Sequence, residues 1–563
     1  MTSREAIIAA SSPAPLLFSS FIVRSSRAWG TWQSCTFTSH VESGGLPISG
    51  PPLRLGELVA TLALGQDNAF GQPLESQLRS CLLGVALCEE AGFDQGVRDT
   101  VYWVALLRYV GCTGHAHEIA TVFGDDIAIL AQTLTFDAAD PADVGRVMVE
   151  FATAGHPPEE REQIVQSIHE GGHDWAVHNF ATGCEVGDML IQRLDLGADV
   201  REAFGFTYER WNGKGYPTGA TGDQIPLAMR VVHLCHDMEA IGRHFSPAQA
   251  IDAARERRDR TYDPELADMF VAHGKEWFDQ LETMEPWDAV LELEPEPHRV
   301  LDGAKLDEAL SVAADFIDLK SPFKGSHSRR CAQLATDAAT VLGATDAEIG
   351  ALRRAALLHE LGTTAVPNSI LDKPGSLTRA EFDRVGLHPM LTEQMLGRSP
   401  ALASLNPVAA AHHEKADGSG YHKGLHADAT DRQARVLAAA DVYVGLTTER
   451  ADRVAFSADD AATELRELVS GGLIEHDSAD AVLTAAGHPS QTPTARVQHP
   501  GGLTRREVEV LRLAAKGLTT QAIADRLFIS PKTADHHIQH VYTKIEVSTR
   551  AAAALWAIQH AVI

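Results

Sequence analysis

The stretch AALLHELGTTAVPNSILDKPGSLT, Ala355 to Thr378, and the downstream HHEKADGSGYHKG, His412 to Gly424, decide how this chain is read. Ile349, Leu352, Ala356 and His359 step by three and four, which places His359 on the buried stripe of a helix. Glu360 follows directly. A buried imidazole beside a buried carboxylate is costly unless something compensates it. For a cluster of His and acidic residues the common compensation is a divalent metal.

Other polar residues fall on apolar faces around this pair. His327 opens a helical pattern continued by Cys331, Leu334 and Ala338, and His388 precedes Leu391 and Met395 at helical spacing. His412 and His413 end an Ala- and Val-rich segment, and Asp441 lies between Leu437 and Val444 on one face. One such histidine reads as a satisfied core residue. Five of them, with Glu360 and Asp441, on five helical segments read as a metal site.

The region is also half of an internal repeat. VALLRYVG at 104–111 mirrors AALLHELG at 355–362, and GYPTGATGDQIPLAMRV from Gly215 mirrors GYHKGLHADATDRQARV from Gly420. FSPAQAIDAARERR and FSADDAATELREL follow the two copies. Leu106 to Tyr216 spans 110 positions against 64 from Leu357 to Tyr421, so the first copy carries 46 extra residues, expected within 136–180. The chain therefore holds two copies of one all-helical unit.

At 563 residues, with 44% apolar and 22% charged residues, the chain is expected to hold several ordinary globular domains. A formal charge of −28 argues against a protein coated in nucleic acid, so any DNA contact must be local. Seven cysteines without a CxxC pair fit a reducing cytosol. No run approaches the roughly 18 apolar residues of a membrane span, and IIAASSPAPLLFSSFIV after Arg4 is a broken signal pattern, so a cytoplasmic protein without membrane contact is expected. The expected domains are a disordered leader at 1–50, a first copy at 51–287, a second at 288–487, a linker at 488–502 and a tail at 503–563.

The tail reads as four short helices. Thr504 and Glu507 form a capping box, Gly517 ends the first helix, and Ser530 caps the third with Pro531 in its first turn. Ala534, Ile538, Val541 and Ile545 make one apolar stripe; Lys532, Asp535, His536, Gln539 and Thr543 make the opposite face. From 501 onward eight Lys and Arg face five Asp and Glu, a net of +3 against −31 for the rest. A polar face on a locally basic module suits a recognition helix in the major groove.

Residues 306–450, with tail helices to about Gly487, resemble the HD-GYP domains, a branch of the HD phosphohydrolases, through SHSRR at 326–330, LLHELG, VPNSILDKPGSLT, HP at 388–389 and HHEKADGSGY. The resemblance implies metal ligands at His327, His359, Glu360, His388, His412, His413 and Asp441, with Glu360 also catalytic. It implies two divalent transition-metal ions, iron or manganese, and hydrolysis of a cyclic dinucleotide, cyclic di-GMP in that family. Such a pair of ions supplies water activation near neutral pH and charge neutralisation at the attacked phosphoryl group. Three positions depart from the pattern: Glu360 replaces the family's aspartate, Thr363 its lysine and His422 the proline of GYP. Aligned to the ligand positions, the first copy has Ser76, Arg108, Tyr109, Gly183, Thr207, Tyr208 and His236, and reads as a binding, pairing or regulatory scaffold.

The tail resembles the LuxR-type (GerE-like) helix-turn-helix through LTRREVEVL and IADRLFISPKT. That resemblance implies double-stranded DNA as partner, phosphate contacts from Lys532, Thr533 and Lys544, base-edge contacts from Asp535, His536 and Gln539, and a homodimer. Two readings follow. One is a transcriptional regulator whose sensor binds metal and a phosphate ester or cyclic nucleotide, with or without hydrolysing it. The other is a metal-dependent phosphohydrolase whose DNA-binding tail is secondary.

Overall fold

The computed structural model describes residues 51–133, 136–137, 139–489 and 500–562, apart from 528, 546, 548 and 561. The expected leader and most of the expected 488–502 linker lie outside the described residues. The described residues fall into two compact units. One runs to Ala332 and adds Arg353–Ala410 and Arg450–Val454; the other comprises Gln333–Leu352, Ala411–Glu449 and the chain from Ala455.

The all-α expectation holds. The named strands among the described residues are two-residue segments, β1 (Leu53–Arg54) and β2 (Val300–Leu301), paired antiparallel with Leu53 opposite Leu301. In the first unit, α1 (Leu55–Ala69) is mostly apolar and is buried almost throughout, with Glu57, Thr61, Gln66 and Asp67 as its buried polar residues. Gly65 lets it sit close to the second copy: a Cβ there would lie 3.1 Å from the Phe316 ring and 3.3 Å from Leu361. Gln66, fully buried, donates to the Leu106 carbonyl at 2.9 Å and accepts from the Tyr109 amide at 2.8 Å, so its burial leaves no amide group unsatisfied. A second link between the copies is ionic. Lys320 and Asp126, 1% and 0% exposed, meet at 2.7 Å, and Asp126 also accepts the Asn368 amide at 2.7 Å.

The repeat is visible atom by atom. Following α2 (Ser76–Glu90), α3 (Gln95–Leu107) ends where its counterpart α8 (Asp346–Leu358) ends, one residue before Arg108 and His359 respectively. A Cβ on Gly111 would fall on the Gly183 carbonyl oxygen at 1.9 Å, and one on Gly362 on the His388 carbonyl oxygen at 2.0 Å. Gly183 lies within α4 (Pro158–Arg193), and His388 begins α9 (His388–Leu396). From Gly111 to Gly183 is 72 positions and from Gly362 to His388 is 26. The 46 extra residues therefore fall between Gly111 and Gly183, where the helix Pro141–Ala152 and the first half of α4 stand.

The loops that follow are alike in their bonding. In the first copy the buried Glu209 accepts the amides of Thr218 and Ala220, at 2.8 and 3.0 Å. In the second, the buried Glu414 accepts those of Lys423 and Leu425, both at 2.8 Å. Isolated bridges Asn212–Thr221 and Asp417–His426 close the two loops. Only glycine fits at 215 and 420, because a Cβ would stand 2.3 Å from the Glu209 Cα and 2.4 Å from the Lys415 amide nitrogen. After these loops come α5 (Leu227–His244) and α10 (Arg432–Leu446). Between them in sequence lie α6 (Gly303–Asp318) and α7 (His327–Val341).

The tail forms α11 (Arg505–Ala515), α12 (Thr520–Leu527), α13 (Pro531–Lys544) and α14 (Arg550–Gln559). The capping box forms, with the Thr504 amide on Glu507 at 2.7 Å and the Glu507 amide on Thr504 Oγ1 at 3.2 Å. Ser530 caps α13 through the Thr533 amide at 3.0 Å, and Gly517 takes φ +87° just beyond α11. No described helix is long and apolar enough to cross a membrane.

Candidate metal centre and nucleic-acid interface

The first unit gathers four of the expected ligands. His327 is the first residue of α7 and His388 the first of α9; His359 and Glu360 sit in the turn after α8, which stops at Leu358 rather than carrying His359 within it. Glu360 Oε1 lies 3.6 Å from His327 Nε2, and Glu360 Oε2 lies 3.7 Å from His388 Nε2. The rings of His327 and His359 stand 5.6 Å apart. All four residues are buried.

Their tautomers suit ligation. His359 Nδ1 meets the Ala356 carbonyl at 2.7 Å, and His388 Nδ1 meets the Val385 carbonyl at 2.7 Å. A carbonyl only accepts, so both Nδ1 atoms carry the proton and Nε2 keeps the lone pair, as in carbonyl-oriented metal-binding histidines. Burial by itself would raise the Glu360 carboxyl. Lys324, whose Nζ is 2.8 Å from Oε2, together with His388, His359 and His327, instead holds it well below the usual range. Buried imidazole nitrogens and a carboxylate converging at these distances are a donor set that fits divalent transition metals.

In the second unit His413 Nδ1 lies 3.8 Å from Asp441 Oδ2, with the His412 ring 4.2 Å away and the Tyr421 ring 4.8 Å away. His412 and Asp441 are buried, and His413 is half-buried. The Cβ clash at Gly420 reaches the His413 carbonyl oxygen at 2.5 Å, so the GYH loop packs directly on the histidine pair.

Several residues of the site carry no clear signal in the sequence. Lys324 brings a cation to Glu360 from three positions before His327, whereas the Thr363 hydroxyl is tied to the Glu360 carbonyl at 2.7 Å. Cys331, one turn along α7 from His327, has its Sγ 3.6 Å from His327 Nε2. Glu209 and Glu414, which the sequence reading passed over, stand at the same place ahead of the two glycine-rich loops, and that shared position is the signal that could have found them.

The first copy has a guanidinium at the equivalent of His359. Arg108, 1% exposed, donates to the Val232 carbonyl at 3.2 Å, lies 3.6 Å from Asp237 and covers the Tyr109 ring at 5.2 Å. Burial would raise Asp237, but the His236 hydrogen bond and the charges of Arg108 and Arg210 hold it well below the usual range. Tyr208, at a ligand position, bonds Cys112 and packs on Phe180 at 4.4 Å.

On α13 the stripe expected inside, Ala534, Ile538, Val541 and Ile545, is buried in two apolar clusters. Lys532, Thr533, Asp535, His536, Gln539 and His540 face outward together, as groove entry requires. Lys544 is exposed as well, but its Nζ is 2.8 Å from Glu507, so its charge is already engaged by the α11 capping box.

The HD domain family model matches residues 182–266 and again 311–470, and that of the bacterial regulatory proteins of the luxR family matches 502–557. Two HD-type domains precede a luxR-type tail. The HD match in the first copy begins within α4, beyond the extra residues. The chain is 29% identical over 416 residues to 3′3′-cGAMP-specific phosphodiesterase 3 of Vibrio cholerae, covering 73% of this chain and 90% of that one. It is 32% identical over 181 residues to 3′3′-cGAMP-specific phosphodiesterase 1 of the same organism. It is 33% identical over 180 residues to the cyclic di-GMP phosphodiesterase response regulator RpfG of Xanthomonas campestris. It spans 42% and 47% of those two proteins. The crystal structure of a cyclic GMP-AMP specific phosphodiesterase from V. cholerae matches with a TM-score of 0.55 at 26% identity, over 77% of this chain and 98% of that one.

Proposed function

We propose that the second HD-type domain is a divalent-metal phosphodiesterase acting on a 3′3′-linked cyclic dinucleotide, and that the luxR-type tail binds double-stranded DNA. The observation that carries the reading is the Glu360 carboxylate between the imidazoles of His327 and His388, at 3.6 and 3.7 Å. The similarity to a cyclic dinucleotide phosphodiesterase over 90% of its length supports the substrate class. In this reading His327, His359, Glu360 and His388 would hold metal in the first unit, and His412, His413 and Asp441 in the second are the remaining expected ligands of two divalent ions. The ions supply water activation and neutralisation of the phosphoryl charge. Lys324 adds the positive charge that Thr363 lacks. Lys532 and Thr533 contact DNA phosphates, and Asp535, His536 and Gln539 face base edges, in a homodimer that reads two half-sites.

Elemental analysis of the purified chain, then incubation with 3′3′-cGAMP and cyclic di-GMP, tests the proposal. Bound transition metal and a linear dinucleotide product are expected. Metal with neither product favours a second reading, a metal-dependent nucleotide receptor without turnover, which the Thr363 and His422 departures support. Protein free of transition metal under metal-replete expression refutes both.

A further inference from the structure

His117 belongs to the first copy, yet it reaches the loop of the second copy that carries Lys324. It lies on the helix Ala116–Phe123, shortly after Gly111, and its ring is half-buried. Its Nδ1 meets Asp372 Oδ2 at 2.8 Å, so a carboxylate of the second copy pins a first-copy imidazole. Asp372, 5% exposed, also accepts the side-chain amide of Asn368 at 2.7 Å and the Ser321 hydroxyl. A carboxylate with these donors around it only accepts, so His117 Nδ1 carries the proton and Nε2 keeps a lone pair. Ser321 caps the short turn Pro322–Lys324 through the Phe323 amide at 3.2 Å. The two residues that end this turn point to different partners. Lys324 sends its ammonium to Glu360, 2.8 Å away. Phe323 turns a half-buried ring to His117, with ring centres 6.4 Å apart and planes at 79°.

This corner has the chemistry of a nucleobase site. An aromatic face stacks on a base, and an imidazole lone pair accepts an N–H from the base edge. Purines carry such donors, the amino group of adenine and the N1–H and amino group of guanine. A phosphate held at the Glu360 centre has its base one nucleoside away, and Phe323 is the neighbour in sequence of the lysine that touches Glu360. We propose that His117 and Phe323 form a purine subsite for the cyclic dinucleotide, Phe323 stacking on the base and His117 Nε2 accepting from its edge. The first copy then completes the substrate site of the second. Its loss of metal ligands leaves that contribution intact, because His117 is not among the positions aligned to them. Lys320, next to Ser321, is tied to Asp126 of the first copy, so the turn and the imidazole are held in register. Such a subsite rests on the cyclic dinucleotide reading, which stands on the metal cluster and holds without it.

Metal-loaded full-length protein is tested with 3′3′-cGAMP and with cyclic di-GMP, by KM and kcat where product forms and by calorimetric Kd where none does. His117→Ala and Phe323→Leu are each expected to raise KM or Kd about tenfold or more, with kcat and metal content close to wild type. Phe323→Tyr keeps the stacking ring and is expected to stay near wild-type affinity. Unchanged affinity in both His117→Ala and Phe323→Leu overturns the subsite. So does a fall in kcat or in bound metal at unchanged KM, which assigns the two residues to the fold of the centre rather than to the base. Phe323→Tyr losing as much as Phe323→Leu overturns the stacking. Each of these results leaves binding or turnover by the wild type, and with it the proposed function, standing. A metal-loaded wild type that neither binds nor hydrolyses either nucleotide overturns the substrate reading and the subsite together.

Discussion

Lys324→Ala is expected to weaken the metal-free protein and strengthen its grip on metal. Lys324 Nζ sits 2.8 Å from Glu360 Oε2, with the two side chains 20% and 6% exposed. At an effective dielectric of 20 the bare Coulomb attraction at that distance is about 6 kcal/mol, most of which desolvation of the two groups cancels. A hydrogen bond between charged groups leaves a net of about 2 kcal/mol. An ammonium and a divalent ion compete for the same carboxylate oxygen, so what the metal-free fold gains from Lys324 the metal must displace. Removing the ammonium should therefore lower the stability of the metal-free protein by about 2 kcal/mol and tighten metal binding by about 30-fold. Competition titration against a chelator of known affinity, with thermal melts of loaded and stripped protein, measures both sides. Unchanged or weaker metal affinity in Lys324→Ala would refute the competition and the placement of the ammonium at Glu360.

Three further outcomes follow from the geometry. His115 and His236 are both lowered from 6.5 to about 4 by burial, with Arg108 adding to the effect at His236. The unfolded chain therefore takes up these protons first, so the stability they lend is complete above pH 6.5 and falls by about 3 kcal/mol each as pH drops to 4. Urea midpoints across that window should fall, and less steeply in His115→Gln. Asp126→Ala leaves the buried Lys320 ammonium without its partner and should cost about 3–5 kcal/mol, largely recovered by Lys320→Met in the double variant; denaturant unfolding of the two checks it. In DNA titrations over a range of salt, Lys532→Ala should reduce the slope by about one unit. Lys544→Ala should change the slope less and the melting temperature more, because its charge is held by Glu507.

The repeat, the all-helical class and the tail's inward stripe were legible because each is periodic over many residues, and periodicity survives whatever the chain packs against. The ligand histidines were legible as residue types in order, yet their seats were less so. His327 and His388 open helices and His359 follows one, and an end is set by capping and tertiary contact rather than by a stripe. Lys324 and Cys331 stayed hidden for different reasons. A lysine in the loop before a helix resembles any exposed charge, and a cysteine on an apolar face resembles core until the neighbour across from it is known to be an imidazole. The engagement of Lys544 by a capping glutamate 37 positions earlier was equally invisible.

Arg108 has a consequence for how the two halves of the chain experience their surroundings. A guanidinium is covalently part of the protein, never exchanges and never loses its charge near neutral pH. At that position the first copy therefore keeps its cation in metal-starved and metal-rich conditions alike. On the proposed reading, a shortage of transition metal would act on the later copy at the equivalent His359, while this position does not respond.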